Sequence, residues 1–174
     1  MKSYTYLKLF FISSLSFILM AGSCSNDDDD ITPETETFMP VTINLDGLGI
    51  DVDDTSFTTQ GFDFTVFRVR STDAYINNGI LLAFPQDGNP STMELDLSDV
   101  SGISKITIPL FNNCANGCTV IQVLNNNEVI QLLNTNDVIP QGEAQAIINL
   151  SPNQAITRLK MSSFETTFYS ITIE

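Results

Sequence analysis

Histidine is absent from the 174 residues, so the chemistry open to this chain is narrow. The usual general base is missing, and with it the Ser–His and Cys–His nucleophile pairs and the commonest metal ligand. Carboxylates are the remaining catalysts. Glu94-Leu95-Asp96-Leu97-Ser98-Asp99 puts two acids at alternate positions, and alternate residues of a strand point to one face. Two such carboxyls could cleave a glycosidic bond with retention if they stood ~5–5.5 Å apart. The segment also reads as the polar outer side of a strand whose Leu95 and Leu97 enter a core. That second reading is preferred, and the chain is expected not to be an enzyme.

Three further groups could bind. Asp46, Asp51, Asp53 and Asp54 crowd one loop, and oxygen-rich loops suit Ca²⁺, which takes six to eight oxygen ligands. The spacing lacks the Gly and Glu of an EF-hand, and a solvated acidic loop is the preferred alternative; a structural Ca²⁺ is the sole cofactor to consider. Cys114 and Cys118 flank Ala115-Asn116-Gly117. A turn there could bring the two Cα atoms within disulfide range, and outside the cytoplasm a nearby pair is usually bonded. A zinc site would need carboxylate help, since two Cys without His cannot fill a tetrahedron. Carbohydrate recognition needs ring surfaces beside hydrogen-bonding groups. The chain has no Trp, and past residue 23 only Tyr75 and Tyr169. Tyr75, in a polar loop, is the stacking candidate. Arg68 and Arg70, expected on one strand face, could clamp a hydroxyl pair or a carboxylate, or could merely offset acidic surface.

The elements that would position these groups begin with a secretory signal. Lys2 and Lys8 supply positive charge, Leu9 to Met20 an apolar run, and Ala21-Gly22-Ser23 a small-residue approach to Cys24. The run is well short of the roughly 20 residues a spanning helix needs. Removing the segment takes away two lysines and no acid, moving the net charge from −14 to −16. Nucleic acid and anionic lipid surfaces are improbable partners for such a chain on Coulomb grounds. Asp27 to Asp30 and the stretch to Thr37 read as an acidic tether. The expected organisation is a signal peptide over 1–23, a tether over 24–37 and one folded domain over 38–174.

That domain reads as strand after strand. Val41–Leu45, Phe62–Val66, Met93–Leu97 and Ile106–Leu110 alternate apolar and polar residues. Apolar or mixed runs follow at Ile80–Phe84, Thr119–Leu124, Glu128–Leu133, Ala146–Leu150, Thr157–Met161 and Phe168–Ile173. A phase change at Phe67 predicts a bulge. Pro109 predicts an edge strand or a strand end. Turn signals separate the runs, among them Asn125-Asn126-Asn127. About ten short strands at regular spacing predict an all-β antiparallel sandwich of the jelly-roll kind.

Four resemblances add to this. Leu19-Met20-Ala21-Gly22-Ser23-Cys24 resembles the lipobox of bacterial lipoproteins, which implies cleavage before Cys24 and its lipidation. Ser25-Asn26-Asp27-Asp28-Asp29-Asp30 is similar to the export signal of Bacteroidota surface lipoproteins, which implies outer-membrane attachment facing outward through the lipid anchor. Ile43-Asn44-Leu45-Asp46-Gly47-Leu48, Gly61-Phe62-Asp63-Phe64 and the closing run Ser163 to Ile173 look like the galactose-binding-like jelly rolls of secreted bacterial proteins. Those domains often carry a structural calcium near the first and last strands, and many open the last strand with Asp-Asn where Tyr169-Ser170 stands here. Glu94-x-Asp96-x-x-Asp99 resembles the E-x-D-x-x-E strand of a jelly-roll glycosidase family, with Asp replacing the second Glu. The resulting expectation is a surface lipoprotein with a non-enzymatic binding or adhesion module, its partner a glycan or an outer-membrane protein. A structural or accessory part of an outer-membrane assembly is the alternative.

Overall fold

The computed structural model describes residues 39–72, 78–114, 117–134, 141–151 and 154–174. All belong to the second of the chain's two compact units, Glu36–Glu174. The signal segment, Cys24, the tether and Tyr75 lie outside the described residues. No helix among those described is long and apolar enough to cross a membrane.

The fold is an antiparallel β-sandwich, a jelly roll of two sheets. One sheet holds β1 (Val41–Asn44), β4 (Arg70–Thr72), β5 (Gly79–Leu82), β7 (Lys105–Asn112), β10 (Gly142–Asn149), β12 (Thr166–Phe168) and β13 (Ser170–Ile173). The other runs in the order β2 (Ser56–Thr59), β3 (Phe62–Phe67), β6 (Ser91–Asp96), β11 (Arg158–Ser163), β8 (Thr119–Asn125), β9 (Glu128–Asn134). Alternation decides which side chains meet between them. Ile106, Ile108 and Leu110 of β7 face Met93 and Leu95 of β6 and Leu159 and Met161 of β11 across a fully buried core. Phe57 and Phe64, paired across β2 and β3, stack with centroids 4.5 Å apart.

Thirteen strands are present among the described residues, where about ten are expected. β2 is one addition: it is joined to β3 by Gln60-Gly61, both at positive φ, a turn chemistry less conspicuous than Asn-Gly. The Gln60 side chain then crosses to the other sheet. Its Oε1 accepts the Asn44 amide at 2.6 Å and its Nε2 donates to the Thr42 carbonyl at 3.2 Å, covering part of the outer edge of β1.

The phase change at Phe67 is not a bulge within one strand. Arg68 takes φ 53°, and there the chain leaves the six-stranded sheet and enters the seven-stranded one through fully buried Val69. Phe67 consequently faces outward, 41% exposed, rather than joining Phe64 in the core.

Pro109 corrects another expectation. It lies inside β7, which pairs with β10 on one side and with β12 and β13 on the other. It is tolerated there because the neighbouring strand is interrupted opposite it. Tyr169 donates its N–H to the Pro109 carbonyl at 3.2 Å but turns its own carbonyl the other way, to Leu45 N at 3.0 Å. N–H and C=O of one strand residue normally point the same way, so Tyr169 is a bulge. It divides the run expected as one strand into β12, beside β5, and β13, beside β1.

At one end the sheets join through polar groups. Thr119 of β8, Ser163 of β11, and Asn112 and Thr166 of β7 and β12 are buried together. Thr119 meets Thr166 at 2.5 Å and Ser163 at 3.1 Å, and the Ser163 hydroxyl donates to Thr166 at 2.8 Å. The Asn112 side-chain carbonyl accepts from Thr119, Thr166 and the Cys114 amide. Cys114 and Cys118 form a disulfide over this cluster, with Cα atoms 6.1 Å apart.

Candidate functional site

The outer face of the seven-stranded sheet carries a groove of about 290 Å³ lined by Thr72, Leu81, Ala83, Phe111, Asn113, Glu165 and Thr167. Register explains the assembly. Thr167 of β12 lies opposite Leu81 of β5 on one side and Phe111 of β7 on the other. Because Ile106, Ile108 and Leu110 point inward, Phe111 must point out, and it sets an aromatic ring beside Leu81 and Ala83 on a face that also carries polar groups. Asn113 and Glu165 close one end through two contacts. The Asn113 N–H donates to the Glu165 carbonyl at 3.0 Å, and its side-chain amide donates to the Glu165 carboxylate. Gln141 Nε2 supports them from below, donating to the Asn113 carbonyl at 3.3 Å. Glu143 of β10 lies opposite Phe111. Nearby, burial pushes the Tyr169 phenol above its ordinary pKa, and the charge of Glu143 adds to the rise.

A larger cavity, about 460 Å³, opens at the opposite end of β7 between residues 98–103 and 154–157. Its floor is Val100, Ile103 and Ile156, and no aromatic or charged side chain lines it.

Arg68 lies in the bend after β3 and Arg70 opens β4, so they do not share one strand face; the chain changes sheets between them. Both converge on Phe84. Arg68 Nε donates to the Phe84 carbonyl at 2.9 Å, and the Arg70 guanidinium lies 5.1 Å from the Phe84 ring centroid. A shared clamp on a ligand is therefore not assembled. Tyr75 joins β4 to β5 in sequence but lies outside the described residues.

The acidic loop does not gather a calcium ligand set. Among the described residues no three Cys, Asp or Glu side chains stand together as a metal site. Asp51 and Asp54 instead build a turn. Asp54 Oδ2 accepts the Asp51 amide at 2.8 Å, Asp51 Oδ1 accepts the Val52 amide at 2.7 Å, and Asp54 N–H reaches the Asp51 carbonyl at 3.0 Å. Asp46 and Asp53 are exposed and form no three-residue metal group with these two.

Glu94 and Asp96 do share the outer face of β6. Glu94 is bound by Lys160 at 2.7 Å and Arg158 at 3.3 Å. Asp96 is held below the ordinary carboxylate pKa, first by the Ser98 amide and then by its hydroxyl, with help from Arg158. A general acid requires the opposite shift. Asp99 follows the end of the strand and does not extend the row.

Phe111, Asn113, Glu165 and Thr167 are functional candidates that the sequence alone does not single out. The available signal is the continued alternation past Pro109, which would have placed an aromatic on the outer side.

No family model matches the sequence, and no curated protein does either. Among solved structures the chain is similar to a mutant of a family 29 carbohydrate-binding module, at 11% identity and TM-score 0.51 over 79% of this chain and 92% of that one. The fold likeness rests on that comparison. A family 29 module from Piromyces equi gives 13% identity and TM-score 0.49 over 78% and 89%.

Proposed function

We propose that this chain is a non-enzymatic carbohydrate-recognition module held at the outer surface of a bacterial outer membrane by lipid on Cys24. The observation that carries the binding half is the groove, where the Phe111 ring stands beside Asn113, Glu165, Thr72 and Thr167. A ring face takes the apolar side of a sugar while fixed amide, carboxylate and hydroxyl groups take its hydroxyls. The jelly-roll fold shared with a carbohydrate-binding module supports the reading. The anchor rests on the lipobox-like sequence before Cys24 and the acids after it.

Affinity electrophoresis of the full chain through soluble mannan, xylan and cellulose derivatives tests it. Retardation by at least one polymer, lost in Phe111→Ala with thermal stability kept, is the expected result. Unretarded migration in all of them overturns it. For the anchor, metabolic labelling with a radioactive fatty acid should mark the wild type and not Cys24→Ala.

A protein partner in the outer membrane is the second reading. It is favoured by Val129 and Leu132, 44% and 55% exposed on edge strand β9. Leu132→Lys would weaken such a contact and leave glycan binding untouched.

A further inference from the structure

The geometry points to charge selection in the groove: Glu165 makes it a site for neutral and amino sugars and excludes uronic acids. This rests on the carbohydrate reading above and goes beyond it by naming the ligand's charge class. Among the described residues that line the groove, Glu165 is the only ionised side chain, and none is a lysine or arginine. Arg70 lies opposite Leu81 in register, keeps its charge, and stands against the Phe84 ring rather than among the lining residues. Glu143, opposite Phe111, adds a second negative charge on the same face. The wider field has the same sign, with 21 acidic against 7 basic residues.

A carboxylate accepts hydrogen bonds and donates none. One oxygen of Glu165 already takes the Asn113 amide, which holds the group in place. A sugar hydroxyl or ammonium can donate to what remains; a sugar carboxylate cannot, and is repelled in addition. Neutral sugars lose nothing, and an ammonium-bearing sugar gains a charge-assisted bond.

Calorimetry of the full chain with three oligosaccharides of equal length decides the matter: mannohexaose, hexagalacturonate and a glucosamine hexamer at pH 6. The wild type should bind the amino hexamer tightest and the uronate at least about tenfold more weakly than the neutral one, a gap of about 1.4 kcal/mol. Glu165→Gln keeps the shape and the Asn113 contact while removing charge. It should strengthen uronate binding about tenfold, weaken amino-sugar binding comparably and weaken mannohexaose binding less than amino-sugar binding. Glu128→Gln, which removes one charge from the other sheet, should change none of the three. Uronate bound as tightly as mannohexaose by the wild type, or equal shifts in both variants, overturns charge selection and leaves carbohydrate binding standing. No binding to any of the three overturns charge selection, and the carbohydrate reading falls with it only if the polymers also fail to retard the chain.

Discussion

Thr119 and Thr166 meet hydroxyl to hydroxyl at 2.5 Å inside the sandwich, one from each sheet. The contact is the centre of a buried polar cluster, with Ser163 and Asn112 around it. Removing one member takes a hydrogen bond from each of its neighbours while they keep the bonds among themselves, and a buried hydrogen bond lost costs about 0.5–1.5 kcal/mol. Thr119→Val should lower unfolding free energy by about that amount in urea titration. The double variant Thr119→Val with Thr166→Val should lose less than the sum of the single losses, since contacting sites couple.

Gly79 opens β5 where it passes the backbone of Phe168. A Cβ there would stand 2.2 Å from the Phe168 carbonyl oxygen. Backbone must move to admit it, so Gly79→Ala should cost about 3 kcal/mol or more, the upper range for overpacking. Gly47 is the control. It has open space around it but a φ of +65°, so Gly47→Ala should cost only about 1–2 kcal/mol through the left-handed backbone. Thermal melts of the two variants should rank in that order.

The Cys114–Cys118 bridge closes a very short loop, four residues apart in sequence. Chain-entropy reasoning assigns so small a ring about 2 kcal/mol. A Cys114→Ser, Cys118→Ser variant should therefore remain folded at 25 °C and melt several degrees lower. Its effect on ligand binding should exceed its effect on stability, because Asn113 adjoins the bridge and holds Glu165.

Asp96 carries a pH signature. The Ser98 amide and hydroxyl, with Arg158, hold its pKa in the folded state below the ordinary 3.8. A carboxyl depressed by folding favours the folded state above its unfolded pKa, and that contribution fades as pH falls through the folded value. Asp96→Asn should flatten the stability profile below about pH 4. The group is largely exposed, so the change is small and is best read as a slope in urea midpoint against pH.

Much of the sandwich was legible because alternation is a two-residue signal that survives without context. Met93, Leu95, Ile106, Ile108, Leu159 and Met161 all enter the core as their spacing predicts. Legibility failed where a long-range partner overrode the local cue. Pro109 sits centrally because Tyr169, 60 residues away, breaks the facing strand. Arg68 turns the chain from one sheet to the other, which no periodicity within residues 62–70 could separate from a bulge. The groove was hidden for a related reason. Phe111, Asn113 and Glu165 are adjacent only through the pairing of β7 with β12, and a strand judged to end at Leu110 leaves Phe111 without a face.

The bulge at Tyr169 also governs when this protein can become itself. Residues 166–173 slot between β7 and two strands from the first half of the domain, so Thr42 finds Thr172 at a separation of 130 residues. Until those residues have emerged from the ribosome, β7 lacks one neighbour, β1 has no sheet partner, and Pro109 faces an open side. Closure of the seven-stranded sheet thus waits for residues 166–173 and is dominated by distant contacts, the regime in which β proteins fold slowly. A nascent chain arrested before Thr166 should stay open to protease however long it waits.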